Sequence, residues 1–410
     1  MTLRKARAED VERLVELWCH AFPGRTVAER TRQLRTGEPF GGLDDTWLEE
    51  QAGRIAGAFR AYRFTQFLDA EPVAITGLAS VAVATWARRK GLGRLLCEQA
   101  IRIGRERGDL LSLLYPFRPD FYQAMGWGFA GHLLSYRFRP EALPAYDEAR
   151  RVVDAGPSDH ADIAACYERV ASGSHGPLRR RPPIWAKHLG APATRPFIYV
   201  AGSGVQGYLL ARFGRGQVPG ERLMRIAELV AENEAAYQGL LGWVSAQRDQ
   251  WRRVRYDARP DEGLGDRLHD PRPPGFRLTR GLWFPTATVL QGPMLRLLDV
   301  PRALEARRRW GEERGVALTI EIEVDDDEVP ANRGPWHLIL DEGGPRVHPA
   351  AGPGADASLA AGASTFARIF VGGLAPTTAG RLGLARLGGA TDVLDRVFQV
   401  SPAFWLADEF

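Results

Sequence analysis

Apolar residues along this chain follow two habits. In short runs they are continuous or fall at every second position, which predicts strands; in longer stretches they recur at every third or fourth position, which predicts amphipathic helices. Residues 3–8 predict a first strand, and Glu9 and Asp10 open a helix whose face is Val11, Leu14, Val15, Leu17 and Trp18. Phe22-Pro23-Gly24 ends it, a second helix covers 25–36, and 47–51 with 53–63 read as a hairpin. The valine-rich run 73–83 (VAITGLASVAV) is too short for a solitary helix and predicts a strand. From Gly93 a helix follows, with Leu95, Leu96, Gln99, Ala100 and Ile103 on one face and Gly108 at its end. A strand at 110–114 and a short helix carrying Phe121 and Tyr122 come next, stopped by Gly126, and Trp127 to Phe129 lead into further strands.

After 140–152 the order partly repeats. A strand at 152–154, a helix at 159–171, a hairpin at 197–200 and 205–213, a strand at 224–229 and a helix at 235–250 are expected. From residue 293 the character changes. An apolar strand, a turn at Pro301 and a helix lead to alternating strands at 316–324 and 336–340 and helices at 364–371 and 391–398. The glycine- and alanine-rich run 350–362 is expected as loop around one short strand. The last part is thus an α+β unit.

The strand-to-helix junction VAVATWARRKGLGRLL (81–96) carries the clearest chemistry. N–H groups in a helix's first turn lack intrahelical acceptors and, with the helix dipole, favour an anion. Gly91 and Gly93 admit a phosphate close to the backbone, and Arg88, Arg89, Lys90 and Arg94 surround it with charge. An ordinary turn with a solvated basic face is the alternative. The corresponding junction of the second region, Ala231-Glu232-Asn233-Glu234-Ala235, has acids and no glycine pair, so a pyrophosphate would be repelled.

Composition narrows the function classes. The 410 residues exceed one ordinary core, and 45% hydrophobic with 25% charged residues are those of a globular protein. Net charge is +4, with 50 acids interspersed and no one-sign block, so a nucleic-acid arm is not expected. Cys19, Cys97 and Cys166 are odd in number, far apart and each in a helix-like stretch, which argues against a disulfide framework or zinc site, and the histidines show no metal-ligand spacing, so no metal is expected. The amphipathic N-terminus lacks a cleavable apolar core and no stretch is long enough to cross a membrane, which points to the cytoplasm. The acids Glu321, Glu323, Asp325, Asp326, Asp327 and Glu328 read as a solvated turn, and Arg179, Arg180 and Arg181 as a surface or interface feature.

The turn Arg88 to Arg94 resembles the pyrophosphate loop of GNAT acetyltransferases, and the stretch FYQAMGWG (121–128) resembles the end of that fold. With LRRRPPIW, MLRLLDVPRALEAR and a chain ending in Glu409-Phe410, the whole sequence resembles the Eis family of acetyltransferases. The resemblance implies tandem GNAT domains at 1–150 and 151–288, the second degenerate and without cofactor, then a sterol-carrier-protein-like domain at 289–410, commonly assembled as a hexamer. It implies an acetyl-CoA-dependent N-acetyltransferase acting on a primary amine of a cationic small molecule or a lysine side chain. The backbones of Val81 and Val83 would take the pantetheine arm, and Arg88, Arg89, Gly91, Leu92, Gly93 and Arg94 the pyrophosphate. Tyr122 would be the general acid, the terminal carboxylate of Phe410 the general base, and Glu409 an acid for the substrate. Plain buried strand remains the alternative for the two valines, a core aromatic for Tyr122 and a frayed tail for the terminus. Family members that acetylate aminoglycosides tend to carry an acid after the first helix, where Phe22-Pro23-Gly24 offers none. Trp86 is also unusual there, as a cover for the cofactor or a packing residue. A lipid carrier with an inactive first domain is the rival reading.

Overall fold

The computed structural model describes residues 2–37, 39–69, 71–202, 204–216, 222–276, 283–310, 317–350 and 354–410. The chain begins with β1 (Thr2–Lys5), α1 (Val11–Ala21) and α2 (Val27–Thr36). Thr26 and Glu29 open α2 by bonding each other's backbone N–H. β2 (Thr46–Gln51) and β3 (Arg54–Leu68) form a hairpin, β4 (Glu71–Val83) returns against β3, α3 (Leu92–Glu106) crosses over, and β5 (Leu111–Leu114) lies parallel to β4. α4 (Pro119–Gln123) and β6 (Gly128–Phe129) close this stretch.

The middle of the chain holds β7 (His132–Phe138), β8 (Val152–Asp154), α5 (His160–Ser172), α6 (Pro182–Leu189), β9 (Thr194–Ala201), β10 (Gly204–Arg215) and β11 (Arg222–Ala231). α7 (Glu234–Ala246), β12 (Arg253–Ala258), α8 (Leu264–Arg267) and β13 (Ala287–Gln291) complete it. The last part runs β14 (Met294–Leu297), α9 (Val300–Ala306), β15 (Leu318–Asp325), β16 (Trp336–Leu340), β17 (Arg346–Pro349), β18 (Ala357–Gly362), α10 (Ala363–Phe370), α11 (Pro376–Arg381), β19 (Ala385–Gly389) and α12 (Thr391–Phe398).

These strands make three mixed sheets, ordered β1-β2-β3-β4-β5-β14-β6, β13-β7-β12-β11-β10-β9-β8 and β17-β16-β15-β18-β19. Two units result. One comprises Met1–Gly131, His175–Arg179 and Gly292–Phe410; the other comprises His132–Ser174 and Arg180–Gln291. The divisions expected at 150 and 288 fall close to two exchanged strands. β7, expected in the first domain, pairs with β12 and β13 in the second sheet, and β14, expected in the third, pairs with β5 and β6 in the first. Alternation of apolar and polar residues says which face of a strand is buried, not which strand lies beside it.

The first unit's core is where α3 lays Leu92, Leu96, Ala100 and Ile103 on Phe59, Leu78 and Leu114. Each such leucine, isoleucine or phenylalanine contributes roughly 1.5–3 kcal/mol on burial. β14 brings Arg296, which is 0% exposed, and its guanidinium bonds both oxygens of Asp326 at 2.6 and 2.8 Å. Asp326 was expected in a solvated turn. It is buried instead, because Asn332 and the N–H of Val329 complete its bonding. In the second unit, Arg180 of the expected surface triplet is also buried, bonded to both oxygens of Glu228 at 3.0 and 2.6 Å. Pro301 lies within the first turn of α9, which Asp299 caps, rather than in a turn before it. Residues 351–353 of the glycine- and alanine-rich run, and Val316, lie outside the described residues. Among the described residues no helix is long and apolar enough to cross a membrane.

Candidate active site

β4 pairs with β5 only from Ile75 to Gly77, opposite Leu111 to Leu113. Beyond Gly77 the strands part, leaving that edge of β4 without a strand partner among the described residues. On its other edge a bulge sets Ser80 and Val81 against Phe59 alone, since Ala58 pairs with Ala82 and Arg60 with Ala79. Ser80 takes φ +53°, a strain of about 1–3 kcal/mol for a residue other than glycine. The buried indole of Trp18 holds it there, its Nε1 donating to the Ser80 carbonyl at 2.9 Å. An open strand edge with a displaced peptide is suited to an extended amide chain.

All eight residues expected at the cofactor, from Val81 and Val83 to Arg94, line one cleft of about 640 Å³, whose other walls include Phe22, Phe117 and Phe121. Gly91 is the N-cap of α3 at φ +78°, and no side chain accepts from the first turn, so its N–H groups remain available to an anion in the cleft. Arg88, Arg89 and Lys90 are exposed, and Arg88 Nε donates to the Val83 carbonyl at 3.2 Å. Arg94 lines the same cleft, but its guanidinium already bonds Glu98 and Glu328. A side chain at Gly93 would meet Phe121 at 3.4 Å, so α3 and α4 approach closely here. The donors, the charges and the open edge together fit a pyrophosphate carrying a pantetheine-like arm.

Tyr122 lies on α4, 3% exposed, with its ring edge-on to Phe117, Phe121 and Trp127 at 5.9, 5.1 and 6.1 Å. Burial, then the nearby Cys97, pushes its phenol well above the usual range, so it is protonated at neutral pH. The two glycines of the FYQAMGWG stretch have a packing reason. A Cβ at Gly126 would strike Arg296 at 1.6 Å, and one at Gly128 the Ser364 carbonyl at 2.1 Å.

The tail from Ser401 to Phe410 has no regular structure, yet Phe404, Trp405 and Leu406 are buried. The Phe410 ring sits among Phe40, Tyr62, Phe64 and Tyr115 at 6.0, 6.2, 4.9 and 5.6 Å. A Cβ at Gly77 would lie 3.1 Å from that ring, so the terminus packs at the point where β4 and β5 separate. Gly77 and Val81 are four residues apart on β4, roughly 13 Å at 3.3 Å per residue. Tyr115, just past β5, donates to the Asp408 carbonyl at 3.1 Å, and burial, followed by Glu409 and Asp408, raises its phenol. Glu409 is exposed beside it.

The rings that receive Phe410 are not singled out by the sequence pattern. Tyr62 falls in the strand expected at 53–63 and Phe64 just past it, and only their same-face spacing hints at a shared contact. Trp86 does not line the cleft. It lies under the Arg54 guanidinium at 4.8 Å in a neighbouring hollow of about 330 Å³ with Arg13 and His20. Among the described residues no group of three His, Cys, Asp or Glu side chains is arranged to hold a metal.

Residues 2–130 and 176–297 each match an acetyltransferase (GNAT) domain family, and residues 300–407 match the sterol carrier protein domain. An uncharacterized N-acetyltransferase of Streptomyces avermitilis is 26% identical, covering 94% of this chain and 91% of its own. The N-acetyltransferase Eis of Mycobacterium tuberculosis is 28% identical over 61% of each chain. Among solved structures, a GCN5-related N-acetyltransferase from Anabaena variabilis superimposes with a TM-score of 0.82 at 20% identity over 100% of both chains. Eis1 from Mycobacterium abscessus does so at 0.79 and 19%, also over 100% of both, and at these identities the likeness is one of fold. Two acetyltransferase domains, a sterol carrier protein domain after them, and likeness to N-acetyltransferases along most of its length place this chain among the Eis-like GNAT N-acetyltransferases.

Proposed function

We propose that the enzyme transfers the acetyl group of acetyl-CoA to a primary amine of a cationic small molecule, aminoglycoside- or polyamine-like, or of a lysine side chain, by direct attack in a ternary complex. The observation that carries this reading is the seat of Phe410 at the parting of β4 and β5. Val81 and Val83 offer backbone pairing to the pantetheine arm, and the first turn of α3 with Arg88 and Arg89 takes the pyrophosphate. An ammonium must lose a proton before it attacks, and the Phe410 carboxylate, ionised at neutral pH, accepts it directly or through water. Glu409 adds negative charge that draws a cationic acceptor. Nitrogen then bonds the acetyl carbon, the carbon–sulfur bond breaks, the protonated phenol of Tyr122 supplies the departing thiolate with its proton, and the second proton of the attacking nitrogen returns through water to the phenolate. Cys97 is wholly buried with its thiol pushed up by burial, so it is unsuited to carry an acyl intermediate.

The lipid-carrier reading needs an open apolar tunnel in the last domain. Its interior holds Phe366, Phe370 and Phe398 instead, each at most 1% exposed. The acetyltransferase reading carries a cytoplasmic protein assembled as a homo-hexamer, supported by the family resemblance and by Trp283 at 93% exposure; light scattering at micromolar concentration tests the assembly.

The base is tested by appending one glycine, which keeps every side chain and moves the carboxylate by about 3.5 Å. Turnover should fall by roughly 10²-fold with thermal stability nearly unchanged. Full activity across the pH range would assign the proton to another group.

A further inference from the structure

The segment His175–Arg179 belongs to the first unit although the chain on both sides of it belongs to the second. It lies along the far end of β3. Gly176 N–H donates to the Phe67 carbonyl at 2.9 Å, Phe67 N–H to the Pro177 carbonyl at 2.9 Å, and Arg179 N–H to the Thr65 carbonyl at 2.8 Å. Gln66 Nε2 adds a bond to the Gly176 carbonyl at 2.6 Å. The segment thus occupies the edge of β3 that β2 leaves open, because β2 pairs only with Arg54 to Arg60.

The tail rests on this segment. Trp405 N–H donates to the His175 carbonyl at 3.1 Å, and the Phe404 ring lies 6.3 Å from the imidazole. Gly176 takes φ +110°, and a Cβ there would sit 2.5 Å from the Trp405 carbonyl and 2.8 Å from the Phe404 ring. The imidazole itself is fixed from behind. Its Nδ1 is 3.0 Å from Asp69 Oδ1, and the other Asp69 oxygen accepts the Arg309 N–H at 2.9 Å. His175 is 1% exposed, and its Nε2 has no partner among the described residues.

β3 therefore sets both ends of the tail. Thr65 to Phe67 hold His175–Arg179, which holds Phe404 and Trp405, and Tyr62 and Phe64 receive the Phe410 ring five residues later. We propose that His175 and Gly176 form a clasp that positions the C-terminal carboxylate, making His175 a positioning residue for proton removal from the acceptor. The inference rests on the reading of that carboxylate as the base. A general base displaced by about 1 Å loses on the order of 10²-fold in rate, so a tail without helix or strand needs such an anchor close to its end.

The test compares Gly176→Ala, His175→Ala, His175→Asn and the glycine-extended chain in the full-length enzyme. Gly176→Ala and His175→Ala should lower kcat by about 10-fold or more, while the Kd for coenzyme A, read by calorimetry, stays at the wild-type value. Hydrogen exchange at the Trp405 amide should speed up in both. His175→Asn keeps a donor near the Nδ1 position and should recover most of kcat, which loss of stability alone would not explain. Wild-type kcat in folded Gly176→Ala and His175→Ala, with the extended chain inactive, overturns the clasp and leaves the base in place. Full activity of the extended chain overturns both. If Gly176→Ala does not fold, the pair at His175 decides alone.

Discussion

The two acetyltransferase units carry the same junction with opposite chemistry. In each, a strand pairs in parallel with its neighbour for a few residues and then parts from it: β4 after Gly77, β11 after Ile226. Each strand also carries a bulge and feeds a helix. At α3 the cap is Gly91, which has no side chain to bond the first turn, and the flanking side chains are arginines and a lysine. At α7 the cap is Asn233, whose side chain accepts the Ala236 N–H at 2.9 Å. Its flanking acids are committed as well, Glu232 to Arg169 and Glu234 to Arg267, each at 2.6 Å. Glu262 lies nearby and accepts from Tyr256 and Tyr237 at 2.6 and 3.0 Å. A phosphate brought to that turn would find the Ala236 N–H already taken and would meet carboxylates in place of the basic residues that flank α3. The fold supplies a parted strand and a helix end in both units. The proposed cofactor site in the first unit follows from both differences, free donors at the helix end and positive charge around it.

The comparison can be sharpened from the second unit first. Glu228 stands two residues beyond the parting of β11 and bonds buried Arg180 and the Tyr208 hydroxyl. Glu228→Gln takes the carboxylate away from a buried guanidinium and should lower stability by about 3–5 kcal/mol, read by denaturant unfolding. Coenzyme A affinity of the folded fraction should not change. In the first unit, Tyr122→Phe keeps the ring packing and removes the proton donor. Turnover should fall by roughly 10- to 1000-fold at unchanged cofactor affinity, and full turnover would return Tyr122 to the core. The smallest effect belongs to Asn233→Ala, a lost cap worth about 1 kcal/mol, visible in the unfolding midpoint and absent from catalysis. With Glu232 and Glu234 still in place, freeing the Ala236 N–H should create no coenzyme A site, and a site there would show that the cap alone keeps the cofactor out.

Much of this architecture is legible in the order of the residues. The helix at 391–398 matches α12 residue for residue, and the strand 73–83 lies within β4, because long periodic runs leave little choice. The turn with its arginines and glycines is legible for the same reason: local backbone chemistry depends on residues close in sequence. β17, α11 and β19 escape the pattern, since RVHP, PTTAGR and ARLGG carry few apolar residues and are held by neighbours distant in the chain. The exchange of β7 and β14 leaves no local mark either. Neither do the rings around Phe410, drawn from Phe40, β3 and the end of β5 and meeting only in three dimensions. Asp326 and Arg180 show the same limit, as each sits in a run of like charge whose average is solvated while one member is buried beside a remote partner.

Calorimetric titration of the full-length protein with coenzyme A, alone and with Arg89→Glu plus Gly91→Glu, tests the division between the units most directly. The account predicts one site per chain, weakened by at least about 100-fold when the turn of α3 is reversed in charge, as expected where two backbone-proximal positions of a pyrophosphate site become acidic. Two sites per chain, or one site that survives the double substitution, would contradict it.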